Sequence, residues 1–477
     1  MTELIWVPLL TPLLLAGVSF AFPKRYWTLL LPVLAAAVLL AVGVVLIVAN
    51  STGAVVVLGG WLRVDALSAW MLAVVGAVAV VSLWGGAPTR ANSSATVGSF
   101  SALLCLFLAA MSLALVADNI GLMWVAIELT TITTAFLVAS GGGRDSLEAA
   151  WKYVVLGAVG VAIAFLGVAL LSAASLSLAE PSVSWTVLLA HASQLNPAMV
   201  KIAGALAVLG FATKAGLAPM HSWLPDAHSQ APAQVSGLMS GVLLSVAFYA
   251  ILRIQAIIDA ALGPELMRTM LLTGGLLSLA VTAGLVITQR DFKRLLAYSS
   301  IEHMGLLALG AAAGGPLAIA AVLLHILGHG LIKSTMFVLA GRISDASGSH
   351  HIAKVRGLLQ TRPDLGGPFL LGTAGLLGFP PFVTFFTEVA IIVAGFQRGL
   401  GWQMGLACVL LLAVFAGIAK QVLAMTLGAG QRQRGRPVWW RRLPIGLALL
   451  ASAVLGFAAW PLAGTLAQAV AALGGVR

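Results

Sequence analysis

The stretch Ala205-Leu-Ala-Val-Leu-Gly-Phe-Ala-Thr-Lys-Ala-Gly-Leu-Ala-Pro219 places a single charged residue, Lys214, inside an apolar segment. An ammonium group at the depth of a lipid bilayer costs ~2.5–3.5 kcal/mol on insertion scales. A lysine is therefore retained there only where it pairs with an acid, loses its proton or faces internal water. The stretch predicts a membrane-spanning helix whose lysine has a function.

Lys214 is one of several titratable residues that the sequence surrounds with apolar side chains. The others are Glu128, His325, His329, Lys333, Glu388 and Lys420. Titratable groups distributed along a membrane protein are typical of a path for ions. Transfer of protons or cations is the first functional hypothesis.

The composition places the chain among membrane proteins. Over 477 residues, 60% are hydrophobic and only 9% are charged, and the mean hydropathy is +1.05. Soluble globular domains do not have this composition. A formal net charge of +11 would suggest nucleic acid for a soluble protein. Here most basic residues lie between apolar runs, where they orient the chain and contact anionic lipid. No nucleic-acid partner is expected.

No resident cofactor or metal is expected either. The two cysteines, Cys105 and Cys408, lie far apart in apolar runs, so they cannot ligate an iron–sulfur cluster or a nickel–iron centre. The sequence has no dinucleotide-binding glycine motif after a strand, no phosphate-binding loop and no nucleophile elbow. A chain of this kind that moves charge uphill depends on an outside source of energy.

The apolar runs predict an all-α polytopic membrane protein with about fourteen spans, each needing ~20 apolar residues. The first run, Leu4 to Phe22, has no basic residue before it and Lys24 and Arg25 after it, so it is expected to be retained rather than cleaved. The predicted spans are 4–22, 27–49, 66–86, 99–117, 120–140, 148–175, 198–224, 233–256, 266–288, 295–313, 316–341, 366–397, 402–427 and 443–472.

The basic residues predict the orientation of the chain. Loops after odd-numbered spans hold Lys24, Arg25, Arg90, Arg144, Lys152, Arg290, Lys293, Arg294, Arg342, Lys354, Arg356, Arg362, Arg432, Arg434, Arg436, Arg441 and Arg442. Loops after even-numbered spans hold only Arg63, Arg253, Arg268 and Arg398. Because positively charged loops tend to stay in the cytoplasm, the odd-numbered loops are expected to be cytoplasmic, in an inner (plasma) membrane.

Two interrupted spans suggest an internal duplication. The seventh span is broken at Gly216-Leu-Ala-Pro219 and the twelfth at Gly378-Phe-Pro-Pro381, so Pro219, Pro380 and Pro381 mark the breaks. An acid follows seven residues after the last proline of each break, at Asp226 and at Glu388. Breaks five spans apart predict two five-helix repeats, spans 4–8 and 9–13, inverted because five is odd. Isolated proline kinks are the alternative.

The repeats divide the chain into four predicted parts. The divisions are a three-helix segment (1–98), a first half-channel (99–256), a second half-channel (257–427), and a loop with a C-terminal helix (428–477).

Glu128 and Lys214 are expected to pair in the first half. Glu128 lies about nine residues into the fifth span. An opposite charge nearby favours the charged form of each group, and separation favours the neutral forms. A pair that opens and closes is thus a proton switch. The alternative is a static buried ion pair, although such pairs seldom add net stability over apolar replacements.

His325, His329 and Lys333 follow one another at four-residue intervals in the eleventh span, which places all three on one helical face. Histidines titrate near neutral pH and hand protons along a hydrated path. A His-x-x-x-His pair on a helix also binds zinc, but no third ligand is evident from the sequence. Proton relay is the preferred interpretation, with hydrogen bonding between helices as the alternative.

The remaining candidates extend this path. Glu388 and Lys420 are expected to close it in the second half, and His221 and His228 to connect it to one surface. Lys152 lies at a helix start, where it either takes part or extends its amine to the surface. A neighbouring acid and base, Glu302-His303, lie near the start of the tenth span, but interfacial polar residues are common. 

A longer motif is specific to one family. Phe211-Ala-Thr-Lys-Ala-Gly-Leu-Ala-Pro-Met-His-Ser-Trp-Leu-Pro-Asp-Ala-His-Ser-Gln-Ala-Pro232 resembles the signature of the antiporter-like subunits of respiratory complex I, of multi-subunit sodium/proton antiporters and of membrane-bound hydrogenases. The segments Trp124–Thr131, Glu148–Tyr153 and Leu295–Gly305 are most similar to the hydrogenase-4 and formate hydrogenlyase branch. Complex I and antiporter members more often have Ser in place of Glu302.

The resemblance implies a fourteen-helix, inverted-repeat channel subunit with a polar axis across the middle of the membrane. Glu128 and Lys214 match the pair on the fifth and seventh spans, and the histidine-bearing eleventh span and Glu388 match the second half. One residue departs from the pattern: many relatives have a lysine in the eighth span where this chain has Ser245. The long lateral helix of the largest complex I subunit of this type is expected to be missing.

The sequence therefore predicts a proton-translocating subunit of a redox-driven hydrogenase-like or complex I-like assembly. Its expected partners are other membrane subunits and a peripheral redox or enzyme module, with no redox centre of its own. Two alternatives stay open: a subunit of a cation/proton antiporter, and a scaffold or coupling subunit for a partner enzyme.

Overall fold

A computed structural model describes residues 2–49, 53–86, 97–430 and 439–474. The helices are α1 (Val7–Ala21), α2 (Leu31–Ala49), α3 (Ala66–Gly85), α4 (Val97–Val116), α5 (Ile120–Ala139), α6 (Gly143–Ala174), α7 (Trp185–Ala190), α8 (Pro197–Ala215), α9 (Trp223–Gln230), α10 (Ala233–Leu238), α11 (Leu244–Leu262), α12 (Glu265–Val286), α13 (Phe292–Ala313), α14 (Gly315–Ser347), α15 (Leu358–Thr361), α16 (Pro363–Leu376), α17 (Val383–Gln397), α18 (Gly401–Thr426), α19 (Leu443–Phe457) and α20 (Ala463–Ala471). A π-helical turn, Met239–Leu243, joins α10 to α11.

The described strands form one small sheet before α3. Strand β1 (Val55–Val57) pairs antiparallel with β2 (Leu62–Val64), and Val55 lies opposite Val64. Four of the basic residues used above to predict the orientation, Arg90, Arg432, Arg434 and Arg436, lie outside the described residues.

Helices dominate because a chain in lipid has to satisfy its backbone hydrogen bonds internally. Eleven described helices are long and apolar enough to cross a membrane, or twelve if α19 and α20, bent by 80°, form one span. Helices α1 and α17 are apolar but shorter. The prediction of an all-α, multi-pass integral membrane protein is confirmed. The count of fourteen spans stays a prediction.

Local sequence signals begin several of these helices. Asp65, Asn119, Asn196 and Asp291 precede α3, α5, α8 and α13, and each side chain accepts a hydrogen bond from a backbone N–H group of the first turn. Such caps satisfy donors that the helix itself leaves unpaired. These caps fix the residue at which each of the four helices begins.

Small residues bring α6 and α8 into close contact. A Cβ atom on Gly210 would lie 2.3 Å from the backbone nitrogen of Ala164, and one on Gly167 would lie 2.4 Å from that of Ala207. Helix pairs in membranes use small residues in this way because their backbones can then approach closely. The contact holds Lys214, at the C-terminal end of α8, against α6.

Two helices are interrupted by glycines in the left-handed region. Helix α8 ends before Gly216, with φ of 76°, and α9 begins at Trp223. Helix α16 ends at Leu376, Gly378 has φ of 63°, and α17 begins at Val383. Glycine adopts this conformation without the steric cost that a Cβ atom adds. These interruptions contain Pro219 and the Pro380–Pro381 pair.

Two successive runs of helices have the same order. In the first, α4, α5 and α6 are followed by the broken pair α8–α9 and by α10–α11. In the second, α12, α13 and α14 are followed by the broken pair α16–α17 and by α18. The shared order supports the predicted repeat, whose inversion and domain limits stay predictions.

The long helix α14 is central to the molecule. It packs against α3, α10, α13, α16, α17, α19 and α20. Helix α13, beside it, is buried along its whole apolar window. Side chains on the facing surfaces of α13 and α14 are therefore enclosed by protein rather than by lipid.

Candidate functional site

Lys214 lies in the first group of buried polar residues, between α5, α6 and α8. Its side chain is 1% exposed. The ammonium Nζ donates to Thr131 Oγ1 at 2.8 Å and to the Tyr153 hydroxyl, and it lies 4.5 Å from the centroid of the Tyr153 ring. Tyr153 in turn bonds Thr134 at 2.6 Å. Hydroxyl groups and an aromatic face thus replace the water that a buried ammonium loses.

Thr131 connects Lys214 to Glu128. Thr131 Oγ1 accepts from the lysine and donates to Glu128 Oε2 at 3.0 Å. Among the described residues, no carboxylate forms a direct ion pair with Lys214. The expected pair is therefore indirect, and one hydroxyl lies on the hydrogen-bonded route between the two charges. The sequence signal for this link was the position of Thr131 three residues after Glu128, which places both on the same helix face.

Replacing Thr131 with valine is expected to slow proton transport several-fold and leave the assembly of the protein intact. Valine keeps the shape of threonine but can neither accept from Lys214 nor donate to Glu128. Thr133→Val is the matched control, since Thr133 bonds only backbone carbonyls of its own helix. Vesicle acidification assays measure both variants. Equal rates for the two variants would contradict the role of Thr131.

A second polar group lies between α13, α14 and α17. His325, His329 and Lys333 on α14 are each 0% exposed, and the two α14 imidazole rings are stacked with centroids 6.2 Å apart. They share one helical face, as their spacing predicts. His325 Nδ1 lies 2.8 Å from Thr387 Oγ1 on α17.

His303 on α13 completes a cluster of three imidazoles. Its Nδ1 lies 3.1 Å from His325 Nε2, and its ring centroid is 4.8 Å from that of His329. Both ring nitrogens of His329, and Nε2 of His303, have no hydrogen-bond partner among the described residues. We call His303, His325, His329 and Glu388 the histidine cluster. Its open nitrogens can accept or release protons, directly or through water.

Three residues of the cluster form a potential set of metal ligands that was not evident from the sequence, and only His325 belongs to the His-x-x-x-His pair. Ligand atoms of His303, His325 and Glu388 all lie within 4.8 Å of one another. Ligand atoms around zinc are separated by about 3.4 Å at bond lengths of ~2.1 Å, so a metal would draw the group together. We assign no metal here, because the His303–His325 contact is already a hydrogen bond suited to proton transfer.

Glu388 lies against the interruption between α16 and α17. A Cβ atom on Gly378 would lie 2.3 Å from Glu388 Oε2, so the glycine leaves the space that the carboxyl group fills. The side chain is half-buried. The broken helix thus places an acid at the edge of the histidine cluster.

Lys333 is held by α13. Its Nζ donates to the backbone oxygen of Leu296 at 2.7 Å and to Ser299 Oγ. One turn further along α13, Glu302 is 6% exposed, and its Oε2 has no hydrogen-bond partner among the described residues. Sequence reasoning gave Glu302 and His303 little weight. The signal was two adjacent titratable residues inside an otherwise apolar span.

Comparison with known proteins identifies the family. Residues 117–416 match the family described as NADH:quinone oxidoreductase/Mrp antiporter, TM. The chain belongs to this family. The matched region contains both polar groups, and the resemblance inferred from the Phe211–Pro232 motif is confirmed.

Two sequence relatives and one solved structure resemble this family member. The chain is 40% identical over 317 residues to the hydrogenase-4 component F homolog of Methylacidiphilum infernorum (isolate V4). This match covers 65% of the chain and 66% of the relative. It is 30% identical over 343 residues to NADH-quinone oxidoreductase subunit N of Desulforudis audaxviator (strain MP104C), and this match covers 71% of the chain and 67% of the relative. These matches span about two thirds of each relative.

The same fold occurs in the structure of the Mrp complex from Dietzia sp. DQ12-45-1b. The superposition has a TM-score of 0.89, covers 99% of this chain and 98% of that chain, and has 21% sequence identity. At this identity the likeness concerns the fold alone.

Two predicted path residues of this family member lie away from both polar groups. Lys152 is 48% exposed and forms ion pairs with Glu148 at 2.7 Å and Asp226 at 3.2 Å. Asp226 also pairs with Arg294 at 3.0 Å. The network links α6, α9 and α13 at the surface, where ion pairs contribute little to stability.

Lys420 is also outside the polar groups, and the expectation that it closes the path with Glu388 stays a prediction. Val414, Ile418 and Val422 form the buried face of α18, and Lys420 is exposed. It lies two residues from both Ile418 and Val422, on the opposite face of the helix. An apolar sequence around a charge did not show which way the side chain points.

His221 and His228 occupy different environments. His221 is half-buried in the interruption after α8. His228 is 0% exposed, its Nδ1 lies 2.9 Å from Leu224 O, and its ring contacts Trp223 and Phe337. His228 thus lies in the interior, because α9 turns it toward Phe337 of α14, and its connection to a surface stays a prediction.

A buried ionic cluster near the start of α3 was also missed. Arg253 Nη2 donates to both carboxylate oxygens of Asp65 at 2.7 and 2.8 Å, and Arg63 bonds Asp65 and, at 3.5 Å, Asp118. The Trp185 ring lies 4.6 Å from Arg63 and 4.5 Å from Arg253. Arg63 and Arg253 are thus buried partners of acids rather than free charges in loops. Burial alone would raise the pKa of Asp65, but Arg253 and Arg63 hold it below its ordinary value.

Proposed function

We propose that this chain is a proton-translocating membrane subunit of a redox-driven assembly similar to hydrogenase-4 or complex I. The observation that carries the proposal is the presence of two groups of titratable side chains inside one membrane protein: buried Lys214 with half-buried Glu128, and buried Lys333 with the histidine cluster. Burying such groups is costly, and apolar side chains would fill the same space more cheaply. Their retention is explained by proton transfer.

In the first half, Lys214 exchanges protons as its connection to Glu128 changes. While Thr131 links the two groups, the carboxylate stabilises the ammonium. When the link opens, an ammonium in low-dielectric surroundings releases its proton. Tyr153 keeps the amine in place, because its hydroxyl and ring both contact Nζ.

In the second half, the proton passes along α14 and α13 to Glu388. Lys333, the three imidazoles and Glu388 occupy neighbouring positions. The connection between the halves lacks an eighth-span lysine, since Ser245 occupies that place and its buried Oγ has no partner among the described residues. Water and hydroxyls supply this connection. Ser240 and Ser300, whose Oγ atoms are 2.8 Å apart, join the π-helical turn to α13.

The energy of such a switch is sufficient for transport. Moving one charge against 100 mV costs ~2.3 kcal/mol. A tenfold change in a protonation equilibrium corresponds to ~1.4 kcal/mol. Opening the Lys214–Glu128 connection therefore has to change the lysine's equilibrium by roughly fiftyfold, within the range that burial and loss of a counter-charge produce.

The proposal extends to location and partners. The chain lies in an inner (plasma) membrane with odd-numbered loops in the cytoplasm, beside other membrane subunits and a peripheral module that performs the redox reaction. The relatives named hydrogenase-4 component F homolog and NADH-quinone oxidoreductase subunit N support this assignment. The named path residues, including His221 as a surface connection, are part of the proposal.

A second candidate function is a subunit of a cation/proton antiporter. The family description includes the Mrp antiporter, and the Mrp complex has the same fold over 99% of this chain. In this case sodium or potassium would replace one of the transported protons.

Inverted membrane vesicles separate the two functions. Vesicles from cells with and without the gene are energised in turn with formate, hydrogen and NADH, and internal acidification is followed by quenching of a fluorescent amine. We expect gene-dependent acidification in sodium-free and potassium-free medium. Acidification that requires added cation would favour the antiporter, and none with any donor would contradict redox-driven transport.

A further inference from the structure

Glu302 is a buried acid for which the path described above has no role. Its side chain is 6% exposed, and its Oε2 has no hydrogen-bond partner among the described residues. A buried carboxyl oxygen without a partner costs free energy that native structures generally avoid. We therefore expect the Glu302 carboxyl group to gain a hydrogen-bond partner or a proton in another state of the protein.

The amine of Lys333 is held about one helical turn before this acid on α13. Lys333 Nζ bonds Ser299 Oγ and Leu296 O on α13, and Ser299 is three residues before Glu302. Residues three apart are neighbours on one helical face, with Cβ atoms about 5–6 Å apart. A lysine has four rotatable side-chain bonds, so its amine reaches the next turn without a movement of either helix.

Its position on α13 places Glu302 between Lys333 and the histidine cluster. Glu302 lies three residues after Ser299, which accepts a hydrogen bond from Lys333 Nζ. It directly precedes His303, the α13 member of the cluster, whose Nδ1 lies 3.1 Å from His325 Nε2. Glu302 is thus an acid on the helix that contacts both the lysine and the imidazoles.

The first half of the chain has a comparable arrangement. Glu128 lies eight residues after the start of α5 at Ile120, and Glu302 lies ten residues after the start of α13 at Phe292. Each helix is the second of its five-helix run, and each has a hydroxyl that accepts a hydrogen bond from a buried lysine. In the first half that hydroxyl, Thr131, also donates to the acid, and in the second, Ser299 lies three residues before the acid.

We propose that Glu302 is the proton acceptor for Lys333 and that the Lys333 amine moves between Ser299 and Glu302. This step rests on the proposed function. When the amine turns to Glu302, an N–H bond of the ammonium breaks and an O–H bond forms on the carboxylate. The neutral amine returns to Ser299 and takes a new proton from the first half. Glu302 passes its proton to the histidine cluster and becomes a carboxylate again.

The test uses the complete assembly in inverted membrane vesicles, energised with the donor that acidifies wild-type vesicles. Glu302→Gln is expected to reduce proton transport per assembled complex at least tenfold, because an amide has a similar shape but accepts no proton. Glu302→Asp should retain a substantial part of the rate. Glu265→Gln, an exposed acid on α12, is the control and should transport at the wild-type rate. The amount of assembled complex is measured by native gel electrophoresis.

A double variant tests the pairing with Lys333. If the two residues act as one unit, Glu302→Gln combined with Lys333→Met transports no more slowly than the slower single variant. Wild-type transport by Glu302→Gln overturns the proposal, as does a double variant whose loss is the product of the single losses. Should Glu302→Gln fail to assemble, Glu302→Asp decides: a reduced but measurable rate per assembled complex supports the proposal, and a wild-type rate per assembled complex with less assembly overturns it in favour of a purely structural carboxylate. Wild-type transport by Lys214→Ala would instead overturn the proposed function.

Discussion

Proton transport is expected to disappear when Lys214 is replaced by alanine, while the protein still inserts and assembles. Lys214 is the only lysine of α8 enclosed by protein, and in the proposed path every proton in the first half passes through its amine. Proton transfer by a positioned side chain contributes about 10²–10⁴ in rate, so we expect at least a hundredfold loss. Assembly should survive, because removing a buried ammonium also removes its cost of desolvation.

The Lys214→Arg variant distinguishes a role of the positive charge from a role of the amine in proton transfer. Arginine keeps the positive charge beside Thr131 and Tyr153 but does not release its proton under physiological conditions. Both variants should therefore be inactive if titration is required. If charge alone matters, only the alanine variant should fail. Lys201→Ala, at an exposed position on the same helix, is the matched control. Full pumping by Lys214→Ala in energised vesicles would remove the basis of the transport mechanism.

A large loss of stability is expected for Asp65→Asn. The change removes the only carboxylate that pairs with Arg253 among the described residues and also weakens the hold on Arg63. Removing one partner of a buried ion pair costs about 3–5 kcal/mol, because the other charge stays buried without compensation. The fraction of protein that remains monodisperse after heating in detergent, measured by size-exclusion chromatography, reports the loss.

Two controls and a pH series sharpen this prediction. Glu265→Gln breaks only an exposed pair with Arg268 and should change the heating curve little. Because the pKa of Asp65 is held below its ordinary value, its contribution is present above the unfolded pKa of ~3.9 and is lost as pH falls through the lower folded value. Wild type should therefore lose more stability than Asp65→Asn below about pH 4. Equal heating curves at neutral pH would show that the cluster is not stabilising.

The sequence predicted the positions of some path residues and not the contacts of others. The face shared by His325, His329 and Lys333 followed from their spacing alone, since all three are on one helix. The interruptions at Gly216 and Gly378 followed from glycine and proline chemistry, which acts within a few residues. His303 reaches His325 across 22 positions, and Asp65 reaches Arg253 across 188. No local pattern predicts such contacts.

Hydropathy determined that this chain crosses the membrane many times, and the cost of charge in lipid marked Lys214 and Glu128 as candidate path residues. Tertiary structure alone decided that Thr131 lies between them, that Lys333 bonds Ser299 on the helix of Glu302, and that Lys420 faces outward. The physical reason is the solvent. In water, polar residues mark the outer face of a helix, whereas in lipid both faces are apolar, so packing between helices decides which charged side chains meet.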